Sequence, residues 1–263
     1  MRASLFAALA VLFLSGGAAV LAQTSELFLT TYEDTRAFVV RGGQVIRQFN
    51  RTGPFDGPAL VVQNTIKMYG QKGGDIGREY SLNGNLLPGQ YPNAGFVDCY
   101  DGATNGVRNW TVAHNDFNVN FAVIVADANW QNAQVAFVPG RRSSGITYDF
   151  KAGTLWLTNN VGGSDRVQQY SLGGQLLSEF NIGPISGGGY GIALDYADDT
   201  LWIPGAFSTA GKLYQYSKAG QKLQEIAVPG LSGNVLGAEF QIPEPASLVL
   251  LVLALAAVRG RRS

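Results

Sequence analysis

Two aspartates, Asp149 and Asp195, lie in closely matching stretches of the chain and are the first candidates for chemistry. The stretches read GITYDFKAGTLWLT and GIALDYADDTLWIP and lie 46 residues apart. A pair of carboxylates could supply a general acid and base or bind a metal ion. A residue that recurs with a repeat usually serves the fold, however, and aspartate readily caps the turn after a strand. We therefore predict a structural role for both residues.

A second group of candidates consists of aromatic and amide side chains in short loop-like segments. Aromatic rings offer flat apolar faces to sugar rings, and amides form hydrogen bonds with hydroxyl groups. The segments could form a face that stacks on sugars and binds polysaccharide, although ordinary polar turns are the favoured interpretation. The segments are Tyr91–Asn93, Tyr100–Asp101, Asn109–Trp110, Asn115–Asp116 and Asn129–Asn132.

The remaining reactive side chains are sparse, because the chain has one cysteine and one histidine. Cys99 lies in the strand-like run FVDCY and is predicted to be a small buried strand residue, whereas a nucleophile would need His114 as its base. No cluster of carboxylate and asparagine residues stands out, so we expect no metal ion and no cofactor. Charged residues are 14% of the chain and the net charge is zero, which argues against a nucleic-acid partner.

An internal repeat supplies the elements that must position these residues. Shifting Gly145–Gly183 by 46 residues matches the following segment without a gap, and partial copies occur at Val39–Phe49 and Glu79–Tyr91. The recurring structural residues, besides the two aspartates, are Trp156 with Trp202 and Gly174 with Gly220. The runs LWL and LWI are apolar at consecutive positions, which predicts strands that are buried on both faces.

Each copy also contains a dipeptide typical of a two-residue hairpin turn. The dipeptides are Gly42-Gly43, Asn83-Gly84, Gly173-Gly174 and Ala219-Gly220. The interval between Gly84 and Gly174 is two periods long, so a degenerate turn is expected near residue 129. Five units of four short strands at this spacing predict the blades of an all-β propeller.

The ends of the repeat predict how the ring closes. Counting back from Gly43, the first strand of the first unit would fall inside the N-terminal apolar segment. The segment Gly233–Ile242 is strand-like and has no unit of its own. We therefore expect it to complete the first blade and close a single propeller domain spanning residues 23–241, which leaves no free edge around the ring.

The N-terminus has the pattern of a secretory signal peptide. Arg2 is followed by an apolar run, Leu5–Leu14, and then by a Gly- and Ala-rich stretch ending in Val-Leu-Ala. This pattern predicts a signal peptide over residues 1–22, cleaved by signal peptidase between Ala22 and Gln23.

The C-terminal segment, residues 242–263, consists of Pro-Glu-Pro, an apolar run and a cluster of arginines. The uninterrupted run Leu248–Val258 is eleven residues long, and the arginines after it fit a positively charged cytoplasmic end. The three parts resemble the PEP-CTERM sorting signal of Gram-negative bacteria. The residues that carry this resemblance are Pro243, Glu244 and Pro245, then Arg259, Arg261 and Arg262.

The resemblance implies an exported protein that is held in the inner membrane by a short C-terminal helix. It further implies processing by an exosortase near Pro-Glu-Pro, release to the cell surface or outside, and association with exopolysaccharide and biofilm. We expect a non-enzymatic binding or structural propeller of the envelope or extracellular matrix. The alternative is a secreted propeller enzyme (a lactonase, lyase or glycan hydrolase), since the architecture resembles lactonase and lyase propellers that hold a metal in the central channel.

Overall fold

The computed structural model describes residues 25–242, except residues 33–34, 54–56, 116–119, 160–164, 184 and 186–190. The described part is all β apart from one 3-10 turn at Phe207–Thr209, and it contains no helix long and apolar enough to cross a membrane. In chain order the strands are β1 (Leu27–Thr31), β2 (Arg36–Arg41), β3 (Gln44–Asn50), β4 (Leu60–Val62), β5 (Thr65–Met68), β6 (Ile76–Ser81), β7 (Leu86–Pro92), β8 (Gly102–Thr104), β9 (Arg108–Asn115), β10 (Asn120–Asp127), β11 (Gln134–Phe137), β12 (Ser143–Asp149), β13 (Thr154–Asn159), β14 (Arg166–Ser171), β15 (Leu176–Asn181), β16 (Ala193–Asp195), β17 (Thr200–Pro204), β18 (Lys212–Tyr216), β19 (Lys222–Ala227) and β20 (Val235–Phe240).

The strands form a five-bladed propeller in which each blade is a four-stranded antiparallel sheet. From the axis outward the sheets are β20-β1-β2-β3, β4-β5-β6-β7, β8-β9-β10-β11, β12-β13-β14-β15 and β16-β17-β18-β19. The innermost strands β20, β4, β8, β12 and β16 contact one another in turn around the axis. The prediction of five blades is therefore confirmed.

The closure of the ring is also confirmed. Strand β20 pairs antiparallel with β1, with Phe240 opposite Leu27. The last described strand thus becomes the innermost strand of the first blade. Because the two strands come from opposite ends of the described chain, their ladder of hydrogen bonds fastens the ring.

The antiparallel order gives the propeller two distinct faces. The lower face is defined as the one that carries the turn Gly42–Gly43 and the C-terminal ends of the innermost strands. The opposite face, where the chain passes from one blade to the next through connections such as residues 93–101, 138–142 and 228–234, is called the upper face.

The hairpin turns occur where the repeat predicted them, but only the first is a two-residue primed turn. Gly42 and Gly43 both have positive φ, whereas the later turns place a single positive-φ glycine at the fourth position of Ser-x-x-Gly, as in Ser171–Gly174. The Ser171 Oγ accepts a hydrogen bond from Gln175 N at 3.0 Å. This serine favours the longer turn with a bulge over the predicted type.

The degenerate turn is confirmed near residue 129. Trp130 N donates to Asp127 O at 3.0 Å, and Trp130 adopts φ +57° where the other blades have glycine.

Two of the recurring glycines are needed for packing between blades as well as for backbone conformation. A Cβ at Gly174 (φ +85°) would lie 2.6 Å from the Phe137 side chain of the preceding blade. A Cβ at Gly220 (φ +85°) would lie 2.7 Å from Phe180 of its preceding blade. The glycine of each turn therefore receives a ring from its neighbour, so the repeat encodes contacts between blades as well as hairpins.

Candidate functional site

Two buried carboxyl groups lie at the axis of the propeller, and the first is Asp101. Asp101 directly precedes β8 and is completely buried. Its Oδ1 accepts hydrogen bonds from Gly102 N and Ala238 N, both at 2.9 Å. Its Oδ2 accepts from Ile146 N and Ile192 N, both at 3.0 Å. One side chain thus binds backbone donors of four different blades, which uses the acceptor capacity of both oxygens.

A second buried carboxyl group, Glu239, lies on the closing strand β20. Its two oxygens are each 3.3 Å from Thr147 Oγ1 of β12, and its Oε1 accepts from Phe240 N at 3.2 Å. Thr147 Oγ1 also accepts from Leu194 N at 3.2 Å, which links blades four and five. Glu239 therefore has fewer and longer hydrogen bonds than Asp101.

The proton of this buried pair is best placed on Glu239. Burial raises the pKa of both carboxyl groups well above their ordinary values, and the charge of Asp101 raises the pKa of Glu239 further. At Asp101 four backbone donors lower the pKa in opposition to burial. A proton on either Asp101 oxygen would point at an N–H donor, whereas a proton on Glu239 can be donated to the Thr147 hydroxyl. The hydrogen-bond geometry thus assigns the proton to Glu239 in preference to Asp101.

We expect Glu239→Gln to flatten the pH dependence of stability above the ordinary glutamate pKa of 4.5. Where Glu239 is protonated only in the folded chain, the free energy of unfolding falls by about 1.4 kcal/mol per pH unit as pH rises. The loss continues up to the raised folded pKa, and glutamine removes it. Urea unfolding of the wild type and the variant between pH 5 and pH 9 tests this. Equal slopes of the free energy of unfolding against pH would show that Glu239 does not carry the proton.

Tyr100, which directly precedes Asp101, belongs to a cluster of aromatic rings near the upper face. Tyr100 is buried between Tyr32 and His114, with edge-on ring contacts at centroid distances of 6.2 and 4.9 Å. His114 Nε2 lies 2.6 Å from the Ser143 carbonyl oxygen, so Nε2 carries the proton. Burial lowers the pKa of His114, and its Nδ1 has no hydrogen-bond partner in the described part of the chain. This histidine is a neutral imidazole with a free acceptor nitrogen.

The two aspartates of the repeat lie in matching sequences but differ in their hydrogen-bond partners and in the direction of their pKa shifts. Asp149 Oδ1 accepts from Lys151 N and Ala152 N at 3.0 and 3.1 Å, in the turn after β12. Its Oδ2 lies 2.7 Å from Lys218 Nζ of the next blade. Burial raises the pKa of Asp149, but Lys218 and the other donors outweigh it, so the net pKa is lowered.

Asp195 occupies the matching turn after β16 but has no lysine. Its Oδ1 accepts from Ala197 N at 2.9 Å and from Ser25 Oγ at 2.8 Å. Burial raises the pKa of Asp195, and the neighbouring charge of Asp198 acts in the same direction. Each aspartate therefore organises the turn of its own blade.

The two tryptophans of the repeat are buried between blades. Trp156 packs in the cluster between blades four and five, and its Nε1 donates to Asp149 Oδ2 at 3.2 Å. Trp202 packs in the cluster between blades five and one, and its Nε1 has no partner among the described residues. The strands that carry them are buried on both faces, as LWL and LWI predicted.

The predicted sugar-binding loops do not present their rings to solvent. Tyr91, Tyr100, Trp110 and Trp130 are all buried. Trp110 stacks on Tyr148 of the next blade, and Trp130 stacks on a tyrosine of blade two. The possible aromatic face is not formed by these four rings, because the contacts between blades bury them; Asp116 lies outside the described residues.

The structure instead exposes two aromatic side chains that sequence reasoning missed. Within the described ranges, Tyr32 (41% exposed) and Phe207 (55% exposed) are the strongly exposed aromatic residues. Both lie on the upper face, and Asn234 binds both of their backbones. Tyr32 N donates to Asn234 O at 3.0 Å, and Phe207 N donates to Asn234 Oδ1 at 2.6 Å. Phe207 also has φ +49°, a strained conformation for a bulky residue.

The other candidates have simpler outcomes. Cys99 is buried, and its burial raises the pKa of the thiol to about 12, but it lies in a connection rather than in the predicted strand. Its backbone N–H binds Gln71 O of a neighbouring loop, so no ladder forms there. Within the described residues, no three His, Cys, Asp or Glu side chains converge as metal ligands.

The predicted processing residues lie outside the described part of the chain. They are Ala22 and Gln23 at one end, and Pro243, Glu244, Pro245, Arg259, Arg261 and Arg262 at the other.

Comparison with known proteins finds similarity among solved structures, at low sequence identity. No protein-family model and no curated protein matches the sequence. Similar solved structures include apo AztD from Citrobacter koseri, with a TM-score of 0.45 and 11% identity over 82% of this chain and 99% of that chain. Another is a luciferin-regenerating enzyme, with a TM-score of 0.47 and 9% identity over 82% of this chain and 80% of that chain.

Proposed function

We propose that this protein is an exported, non-enzymatic propeller that serves as a binding or structural component of the cell envelope or of an exopolysaccharide matrix. The proposal includes removal of residues 1–22 by signal peptidase and sorting by an exosortase through the C-terminal segment. The observation that carries the non-enzymatic part is the state of Asp101. A carboxylate that accepts four backbone N–H bonds has little capacity left for a substrate or a metal ion.

Close packing at the axis supports the same proposal. A Cβ at Gly102 would lie 2.5 Å from Leu60 O, and a Cβ at Gly237 would lie 1.9 Å from Pro58 O. The innermost strands therefore approach one another at these positions more closely than any side chain allows. Ligand binding is better assigned to the surface than to the channel.

The surface that we assign to binding is the pair Tyr32 and Phe207 on the upper face. Their rings supply apolar faces for sugar rings, and Arg36 and Ser232, joined by a 2.7 Å hydrogen bond, lie on the same face. Phe207 has an exposed ring and also a positive φ, which strains the backbone of a bulky residue. Strain of this kind is concentrated at functional positions, which favours a ligand-binding role.

We expect Tyr32→Ala and Phe207→Gly each to weaken polysaccharide binding about tenfold, a loss of about 1.4 kcal/mol. Glycine at 207 also accommodates φ +49°, so this variant should remain folded. A glycan array identifies the ligand, and affinity electrophoresis with that polysaccharide measures the loss. Leu86→Ala is the matched control, because Leu86 is also 55% exposed but lies on an outermost strand. Equal binding by the wild type and all three variants would show that the two rings are not part of the binding site.

A secreted enzyme that acts on a carbohydrate or lactone is the second candidate, and His114 is the observation that favours it. The neutral imidazole of His114 has a buried Nδ1 without a hydrogen-bond partner among the described residues, and such a nitrogen could act as a general base. Incubation of the bound polysaccharide with wild-type protein and with His114→Gln distinguishes the two functions. Product release that is lost in the variant would establish the enzyme.

The sorting part of the proposal has its own test. Replacing Pro243, Glu244 and Pro245 by three alanines should leave full-length protein in the inner membrane of the native host, because the peptidase loses its extended recognition segment. Arg259→Ala serves as a control that preserves this segment. Intact mass of the released protein provides the measurement, and trimming of the alanine variant at the normal rate would contradict exosortase sorting.

A further inference from the structure

The described chain ends at Ile242, and the position of this residue bears on how the propeller is oriented at a membrane. Strand β20 is the innermost strand of blade one and runs to the lower face, where Ile242 N donates to Val62 O at 3.0 Å. Ile242 is buried, and its side chain lies near Gly106 of blade three. The chain is therefore held against two further blades, next to the axis, at the point where the C-terminal segment begins.

The connection from this point to the apolar segment is short. Only Pro243, Glu244 and Pro245 separate Ile242 from Ala246, where the apolar residues begin. Even fully extended, four residue steps span at most about 14 Å. Two prolines with fixed φ restrict this segment further.

We infer that, before processing, the lower face of the propeller lies directly against the lipid bilayer and the upper face points away from it. This inference rests on the proposed insertion of the C-terminal segment into the membrane. A tether near the axis of one face holds that face down, whereas a tether at the rim would let the ring tilt. The other face, with Tyr32 and Phe207, is then presented outward to an extracellular ligand.

The lower face carries two features consistent with this orientation. Val107 is 72% exposed, the highest value among the large apolar side chains of the described residues, and it follows Gly106, which lies near Ile242. The described chain also begins on this face, where Ser25 Oγ donates to Asp195 Oδ1 at 2.8 Å. Both ends of the described chain thus lie on the same face.

The test measures how far each face lies from the bilayer. Ala219→Cys on the lower face and Ala210→Cys on the upper face form a matched pair, because both alanines are exposed and belong to blade five. Strand β18 separates them, a distance of about 17 Å along its five residues. The buried native thiol of Cys99 should stay unlabelled.

The chain from Gln23 to Ser263, labelled at either cysteine with a fluorophore, is incorporated into vesicles of phosphatidylethanolamine and phosphatidylglycerol that contain a headgroup quencher. We expect several-fold stronger quenching at position 219 than at position 210. A flexible insert of about 20 Gly and Ser residues between Ile242 and Pro243 should abolish this difference, because the tether no longer fixes the orientation.

Each outcome has a separate meaning. Equal quenching at both positions in protein that floats with the vesicles would overturn the orientation. A difference that survives the flexible insert would still support the orientation, but would assign it to lipid binding by the lower face itself instead of to the tether. Failure to float with the vesicles would instead contradict the membrane insertion on which the proposed function relies.

Discussion

Replacing Asp101 by asparagine is expected to cause the largest loss of stability of any single isosteric change in this protein. The amide oxygen can still accept two of the four hydrogen bonds, but the amide nitrogen is a donor and faces two backbone N–H groups. Each buried donor left without a partner costs about 1–3 kcal/mol, so we expect a loss of about 4 kcal/mol. This is a large share of the roughly 5–15 kcal/mol that stabilises a typical domain.

Urea unfolding followed by circular dichroism measures this loss. Asp127→Asn is the matched control, because Asp127 Oδ1 accepts from Asn129 N and Gln131 N in a partly exposed turn, where asparagine can replace it. We expect less than about 1 kcal/mol there. If Asp101→Asn does not fold, hydrogen exchange in the wild type answers the same question, since Ile146, Ile192 and Ala238 should have slow amide exchange. Rapid exchange at these amides, or a loss as small as that of the control, would contradict the role of Asp101.

Trp156→Ala and Trp202→Ala are each expected to lower the free energy of unfolding by about 3–5 kcal/mol. Both side chains are buried between blades, and their removal leaves cavities that rigid strands on either side cannot fill. Thermal and urea unfolding measure the loss. A change under about 1 kcal/mol would mean that the tryptophan is not part of the core.

Phenylalanine at the same positions separates packing from hydrogen bonding. Trp156→Phe also removes the bond from Nε1 to Asp149, whereas Trp202 has no such bond within the described residues. We therefore expect Trp156→Phe to cost about 1 kcal/mol more than Trp202→Phe. Equal losses would indicate that this hydrogen bond contributes nothing net to stability.

Local sequence patterns were sufficient to predict the blades. A hairpin turn is specified by a few adjacent residues, and two consecutive apolar positions show that both faces of a strand are buried. The repeat of such signals yielded five blades and located the turn at Trp130, although that turn has no glycine. Closure by β20 was also predictable, because one blade lacked a strand and one strand lacked a blade.

Predictions about exposure failed where contacts between blades decide it. Asn109–Trp110 and Asn129–Asn132 have the composition of surface loops, yet Trp110 and Trp130 stack on rings from neighbouring blades. The composition of a segment shows which contacts its side chains could make. Only the packing of the five blades determines which of those side chains are covered. Tyr32 and Phe207 show the converse, since each is an isolated aromatic residue and Asn234 of a distant loop brings their backbones together.

The sequence by itself determined the fold class, the number of blades and the way the ring closes, because these follow from turns and strand patterns that extend over a few residues. Only the tertiary structure identified the residues at the axis. Asp101 looked like part of a polar loop, but its partners Ile146, Ile192 and Ala238 lie in three other blades. Likewise, Asp149 and Asp195 have matching sequences and opposite pKa shifts, because a lysine from the next blade reaches only one of them. Hydrogen bonds and charges at the centre of a propeller join segments far apart in the chain, so no local pattern encodes them.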